Sequence, residues 1–89
     1  MDFKRILIVD DEPLMRDFLV ETLQRKKYVV DSVGNGSQAI EKAKSEHYDL
    51  VVSDIRMPEV SGMEVLEEVK KINIETEVVM ITAFGTIEN

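Results

Sequence analysis

The chain has 89 residues and a mass of 10.2 kDa, which allows one domain with a thin core. With 44% apolar and 33% charged residues it is expected to fold rather than stay disordered, and 18 acidic against 11 basic residues (net -7) argue against a direct nucleic-acid partner. The absence of cysteine removes disulfides, thiolate metal sites and cysteine nucleophiles, and neither a signal-peptide core nor an apolar stretch approaching the roughly 20 residues of a membrane span is present, so a cytoplasmic location is expected.

The first apolar run, Ile6-Leu7-Ile8-Val9, is followed by Asp10-Asp11-Glu12. Pro13 then opens a helical pattern in which Leu14, Phe18, Leu19 and Leu23 form an inward stripe, closed by Arg25, Lys26 and Lys27 at the end where cations suit the helix dipole. Tyr28-Val29-Val30 to Val33 reads as an edge strand with Asp31 and Ser32 on its wetter side. Gly34-Asn35-Gly36 is a turn. Ser37 is the expected N-cap of a second helix that faces inward through Ala39, Ile40 and Ala43.

A third strand, Leu50-Val51-Val52, ends in Ser53-Asp54. A third helix is expected from about Met63 to Ile72, with Leu66 and Val69 inward, and a fourth strand over Val78-Val79-Met80-Ile81 ends in Thr82-Ala83. Met15, Met63 and Met80 are expected to fill the core. His47 precedes the third strand and is expected at the surface, at the end of the sheet opposite the aspartates.

The three runs Ile6–Val9, Leu50–Val52 and Val78–Ile81 do not alternate with polar residues, so each of these three strands is expected to be buried on both faces. Strands alternating with helices then give an α/β fold, a parallel sheet with helices on both faces. Open parallel sheets bind ligands at the carboxyl ends of their strands. If the first and third strands are neighbours, Asp10, Asp11 and Asp54 converge there. Like charges about 4 Å apart repel by roughly 4 kcal/mol at an effective dielectric of 20, so such a cluster either raises a carboxylate pKa or recruits a cation. Oxygen-only ligands favour a hard ion, and Mg²⁺ commonly uses one or two carboxylates with waters and substrate phosphate.

These stretches together resemble the receiver domain of two-component response regulators. The resemblance rests on the acidic pair Asp10-Asp11, on Ser53-Asp54-Ile55-Arg56-Met57-Pro58-Glu59-Val60-Ser61-Gly62 with its Ser-Asp-x-x-Met-Pro-x-x-x-Gly pattern, and on Ile81-Thr82-Ala83. It implies a flavodoxin-like (CheY-like) fold with strand order 2-1-3-4. It implies that Asp54 is the phosphoacceptor, taking its phosphoryl group from a sensor histidine kinase, and that Mg²⁺ is held by Asp10, Asp11, Asp54 and the backbone carbonyl of Arg56. Thr82 matches the switch hydroxyl and Ala83 the small residue beside the phosphate. Met57, Pro58 and Gly62 shape the loop, and Arg56 and Phe84 fall where the family modulates phosphate hydrolysis.

Against the family pattern, the fourth helix, fifth strand and fifth helix are missing. The expectation is therefore an incomplete receiver over 1–89, with an exposed fourth strand prone to pair or swap with a second copy, and an output domain in a longer parent protein. The closing stretch resembles receivers attached to transcriptional activators of the nitrogen-regulatory type. Two other readings stay open: a Mg²⁺-dependent phosphatase of the haloacid dehalogenase type, and a receiver-like fragment without phosphorylation activity.

Overall fold

The computed structural model describes residues 4–81. Thr82, Ala83 and Phe84 lie outside the described residues. In chain order the elements are β1 (Arg5–Val9), α1 (Pro13–Arg25), β2 (Val29–Val33), α2 (Gly36–Ser45), β3 (Leu50–Asp54), α3 (Gly62–Ile72) and β4 (Glu77–Ile81). The four strands form one parallel sheet in the order β2-β1-β3-β4, as the resemblance implies.

Burial follows from position in that sheet. Strand β1 has a neighbour on each side and helices on each face, so Ile6, Leu7, Ile8 and Val9 are all buried, and a continuous apolar run is the sequence that such a site selects. Leu7, Val9 and Val51 point to one face and pack with Ala39 of α2, with Val65 and Val69 of α3, and with Tyr48 and Met57. Helix α1 packs on β1 and β2 from the other side. Strand β2 lies at one edge. Its Val29 and Ser32 are exposed, on opposite faces of the strand, whereas Asp31 is half-buried and accepts hydrogen bonds from the Tyr48 hydroxyl (2.5 Å) and the Arg5 guanidinium (3.3 Å), so the expected pairing of Asp31 with Ser32 on a wetter side is corrected. Strand β4 is the other edge among the described residues, and Val79 on it is exposed.

Three local expectations are corrected. On α1, Leu14 and Phe18 are 80% and 61% exposed, and the half-buried residues are Met15, Arg16, Leu19, Val20, Thr22 and Leu23. Apolar residues at 14, 15, 18, 19, 20 and 23 cover more than one helix face, so periodicity alone does not choose the buried one. On α2 the N-cap is Asn35, whose Oδ1 accepts from the Gln38 N–H at 2.8 Å, and Ser37 already lies inside the helix. On α3 a capping box joins Ser61 and Glu64, and the buried stripe is Val65 and Val69 with Leu66 beside it. Met63 is therefore exposed rather than core filler, while Met15 and Met80 are half-buried.

The C-terminus of α1 is closed by backbone geometry. The Lys27 N–H donates to the Gln24 carbonyl at 2.9 Å and the Tyr28 N–H to the Leu23 carbonyl at 3.4 Å, with Lys27 at φ 74°. This is a Schellman closure with a left-handed residue at the position that glycine favours. Lys27→Gly removes the Cβ penalty and is expected to raise unfolding stability by about 0.5–1 kcal/mol, read as a higher denaturant midpoint at unchanged slope.

Candidate functional site

The parallel register sets the site. Val9 is level with Val33 on one side and with Ser53 on the other, so the chain leaves β1 at Asp10 beside the point where β3 ends in Asp54. Asp10 and Asp54 are buried and Asp11 is exposed. One carboxylate oxygen from each of the three lies within 4.8 Å of the others.

Asp10 is held by three hydrogen bonds. Its N–H donates to the Val33 carbonyl at 3.2 Å, and its Oδ1 accepts from the Glu12 N–H at 2.9 Å. Its carbonyl accepts from Arg16 Nη1 at 2.7 Å. The Asp10–Glu12 bond turns the chain out of the sheet into α1, whose first residue is Pro13.

The segment after Asp54 is held equally closely. Ile55 donates to the Ile81 carbonyl of β4 and accepts from the Gly62 N–H, both at 3.0 Å, so the loop is closed at its base. Met57 turns inward and joins the core, while Pro58 and the Arg56 side chain stay exposed. Glu59 takes a left-handed φ of 67° at the tip. Gly62 backs directly onto Asp54: a Cβ there would lie 2.3 Å from the Asp54 carbonyl oxygen. The Ser53 hydroxyl, fully buried, donates to the same carbonyl at 3.0 Å.

The electrostatics follow from this packing. Burial, and then the charge of Asp10, push the Asp54 carboxyl above its ordinary range, and Asp11 adds to the push. The nearby backbone N–H groups of Arg56 and Ile55 act in the opposite direction by favouring the carboxylate. An oxygen-only cluster of three carboxylates, one of them destabilised by its neighbours, fits a hard divalent cation that keeps several waters, as Mg²⁺ does. The other end of the sheet is different. There a cleft of about 310 Å³ is lined by His47, Tyr48, Ile72, Asn73 and Thr76, and no set of three acidic groups meets in it among the described residues. His47 is exposed there, bonded to Asp49 and Asn73, both at 3.2 Å.

The structure thus brings Asp10, Asp11 and Asp54 together and places Met57, Pro58 and Gly62 in the loop that supports Asp54. Two contacts at the site carry no sequence signal. Arg16 reaches back to the Asp10 carbonyl, and Ser53 bonds the Asp54 carbonyl from inside the core. Arg16 offers no sequence signal because its contact depends on how α1 is rotated on the sheet. Ser53 sits in the motif but gives no hint of its direction.

The chain matches the response regulator receiver domain family over residues 6–89. It is 43% identical over 82 residues to the chemotaxis protein CheY of Bacillus subtilis, covering 91% of this chain and 68% of that one. It is 38% identical over 88 residues to the response regulator protein PilR of Pseudomonas aeruginosa, covering 99% of this chain but 20% of that longer one. Among solved structures it is similar to response regulator protein TrrA of Thermotoga maritima in complex with Mg²⁺-BeF, with TM-score 0.85 and 46% identity over 90% of this chain and 70% of that one. It is also similar to a chain of the complex of histidine kinase ThkA with TrrA, with TM-score 0.85 and 43% identity over 97% of this chain and 74% of that one. The chain belongs to the response regulator receiver domain family, the phosphoacceptor modules of two-component signalling. This membership decides against the haloacid dehalogenase-type reading. No helix among the described residues is long and apolar enough to cross a membrane.

Proposed function

We propose that Asp54 is the residue that receives the phosphoryl group, and that a sensor histidine kinase donates it. One observation carries this reading: a buried carboxylate at the end of β3 converges with Asp10 and Asp11 within 4.8 Å, and its pKa is raised by burial and then by their charges. An Asp54 Oδ attacks the phosphorus of a phosphohistidine in line with the P–N bond. That bond breaks, the imidazole leaves with its electron pair, and an aspartyl phosphate remains.

The carboxylates of Asp10, Asp11 and Asp54 and the backbone carbonyl of Arg56 would hold Mg²⁺, which would supply positive charge against the transferred oxygens. The protein's own contribution is placement. Asp10 is locked by three hydrogen bonds, Gly62 and Ser53 fix the carbonyl of Asp54, and Met57 anchors the loop in the core. Asp11, more exposed, is the carboxylate most able to adjust.

Thr82 is proposed as the hydroxyl that reads the phosphorylated state, with Ala83 leaving room beside it. The chemistry is self-catalysed gain and loss of one phosphoryl group, without turnover of a diffusible substrate, in a cytoplasmic signalling protein. The relatives include stand-alone chemotaxis proteins and longer transcriptional regulators, and an output domain in a longer parent is the reading carried over from the latter.

Incubation with Mg²⁺ and acetyl phosphate, followed by intact-mass measurement, tests the proposal. A single phosphoryl adduct is expected, lost in Asp54→Ala and lost on chelation of the metal. An adduct that persists in Asp54→Ala would place the chemistry elsewhere.

A further inference from the structure

We infer that Arg16 is a positioning residue for the metal-binding carboxylates, acting through the backbone of Asp10, with Gly34 kept small to admit it. The inference rests on the reading of Asp10, Asp11 and Asp54 as the Mg²⁺ site. Arg16 lies in the first turns of α1, half-buried, and Nη1 donates to the Asp10 carbonyl at 2.7 Å. A charge-assisted bond of that length is among the stronger contacts a backbone carbonyl makes.

Its position explains why it matters. Asp10 and Asp11 leave β1 into a turn that must hold two carboxylates near a third, against their mutual repulsion. The Asp10 side chain already spends Oδ1 on the Glu12 N–H, which fixes the direction of the carboxylate relative to the turn. The turn itself is held on one side by the Asp10 N–H bond to Val33 and on the other by Arg16. Without the Arg16 bond, the peptide joining Asp10 and Asp11 keeps no other described tie at its carbonyl, and repulsion is free to open the pair.

Gly34 supplies the second observation. A Cβ at Gly34 would lie 3.1 Å from Arg16 Nη1 and 3.8 Å from its Cζ, and those are its only near contacts. A Cβ at 34 would therefore press on the guanidinium and shift it by a few tenths of an ångström. Gly34→Ala perturbs the placement of Arg16 while leaving its charge in place.

Charge and positioning predict opposite signs. Removing a nearby cation should, by Coulomb's law alone, strengthen Mg²⁺ binding. Loosening the carboxylates should weaken it, and partners that orient metal ligands are worth about 10–100-fold in affinity when mutated. Calorimetric titration of the metal-free chain with Mg²⁺ is expected to give a Kd about 10-fold weaker in Arg16→Met, and a smaller weakening in Gly34→Ala. Arg25→Met, which removes only the exposed pair with Glu21 on the same helix, should leave it unchanged.

Amide hydrogen exchange without metal gives a second readout, independent of any ion. The Glu12 N–H, protected by Asp10, should exchange faster in both Arg16→Met and Gly34→Ala. Mg²⁺ affinity equal to or tighter than the parent's in these variants, with unchanged Glu12 exchange, would overturn the inference. A parent chain that binds no Mg²⁺ would overturn the metal reading itself, and Glu12 exchange would then decide separately whether Arg16 locks the turn. If Arg16→Met does not fold, Gly34→Ala carries the test alone.

Discussion

Gly62→Ala is expected to lower the unfolding stability by about 3 kcal/mol and to slow phosphorylation on the order of 100-fold. The added Cβ would start 2.3 Å from the Asp54 carbonyl oxygen and 3.0 Å from the Ile55 Cα, both backbone atoms that cannot swing aside. Relief requires the end of β3 and the start of α3 to separate by close to an ångström. That shift breaks the Gly62 N–H bond to the Ile55 carbonyl and carries Asp54 away from Asp10 and Asp11.

Gly36→Ala is the control. Its Cβ would meet Val60 at 2.6 Å (Cγ1) and 2.7 Å (carbonyl oxygen), a clash of similar severity on the far side of the loop. It should cost comparable stability while leaving the phosphorylation rate of the folded fraction within a few-fold of the parent. Equal rate losses in the two variants would show that the Gly62 contact has no particular hold on Asp54.

The second large effect has the opposite sign from most core substitutions. Asp54→Asn in the absence of divalent metal is expected to stabilise the fold, by on the order of 1–2 kcal/mol at neutral pH, because it removes a buried charge that faces Asp10 and Asp11. The pH dependence fixes the origin of the gain. The folded Asp54 holds its proton to higher pH than the unfolded chain, whose carboxyl titrates near its ordinary value of 3.8. Below that value both states are protonated and Asp54 contributes nothing. As pH rises from there through the raised folded pKa, the unfolded state releases its proton first and the parent loses stability relative to Asp54→Asn. Above the folded pKa the difference is constant.

Mg²⁺ should then reverse the ranking. The parent gains stability with rising metal concentration through binding to the folded state, about 2.7 kcal/mol at 100 times Kd, and Asp54→Asn gains much less. Denaturant midpoints measured with chelator and with Mg²⁺, at several pH values, check both halves. A metal-free Asp54→Asn no more stable than its parent would contradict the electrostatic account of the site.

What the sequence disclosed, and what it hid, divides along physical lines. Strands β1 and β3 were legible because burial on both faces demands an unbroken apolar run, and Ile6–Val9 and Leu50–Val52 provide one. The aspartates were legible because each directly follows or ends such a run, and the parallel sheet then brings them level. The buried face of α1 was not, since Leu14, Met15, Phe18 and Leu19 are equally apolar and the helix's rotation on β1 and β2 is a tertiary choice. The cap at Asn35 was masked by Ser37 two residues later, both being good caps. The contacts of Arg16 with Asp10, and of Gly62 with the back of Asp54, join residues whose closeness depends on how elements pack, and no local pattern records it.

Asp54, held against Asp10 and Asp11, is the proposed acceptor of the phosphoryl group. Peptide-level mass mapping of the chain after reaction with acetyl phosphate and Mg²⁺ tests it most directly. One phosphoryl group is expected, confined to the peptide containing Asp54 and released at alkaline pH as an acyl phosphate is. A phosphoryl group found on another residue, or an Mg²⁺-bound chain that remains unmodified, would contradict it.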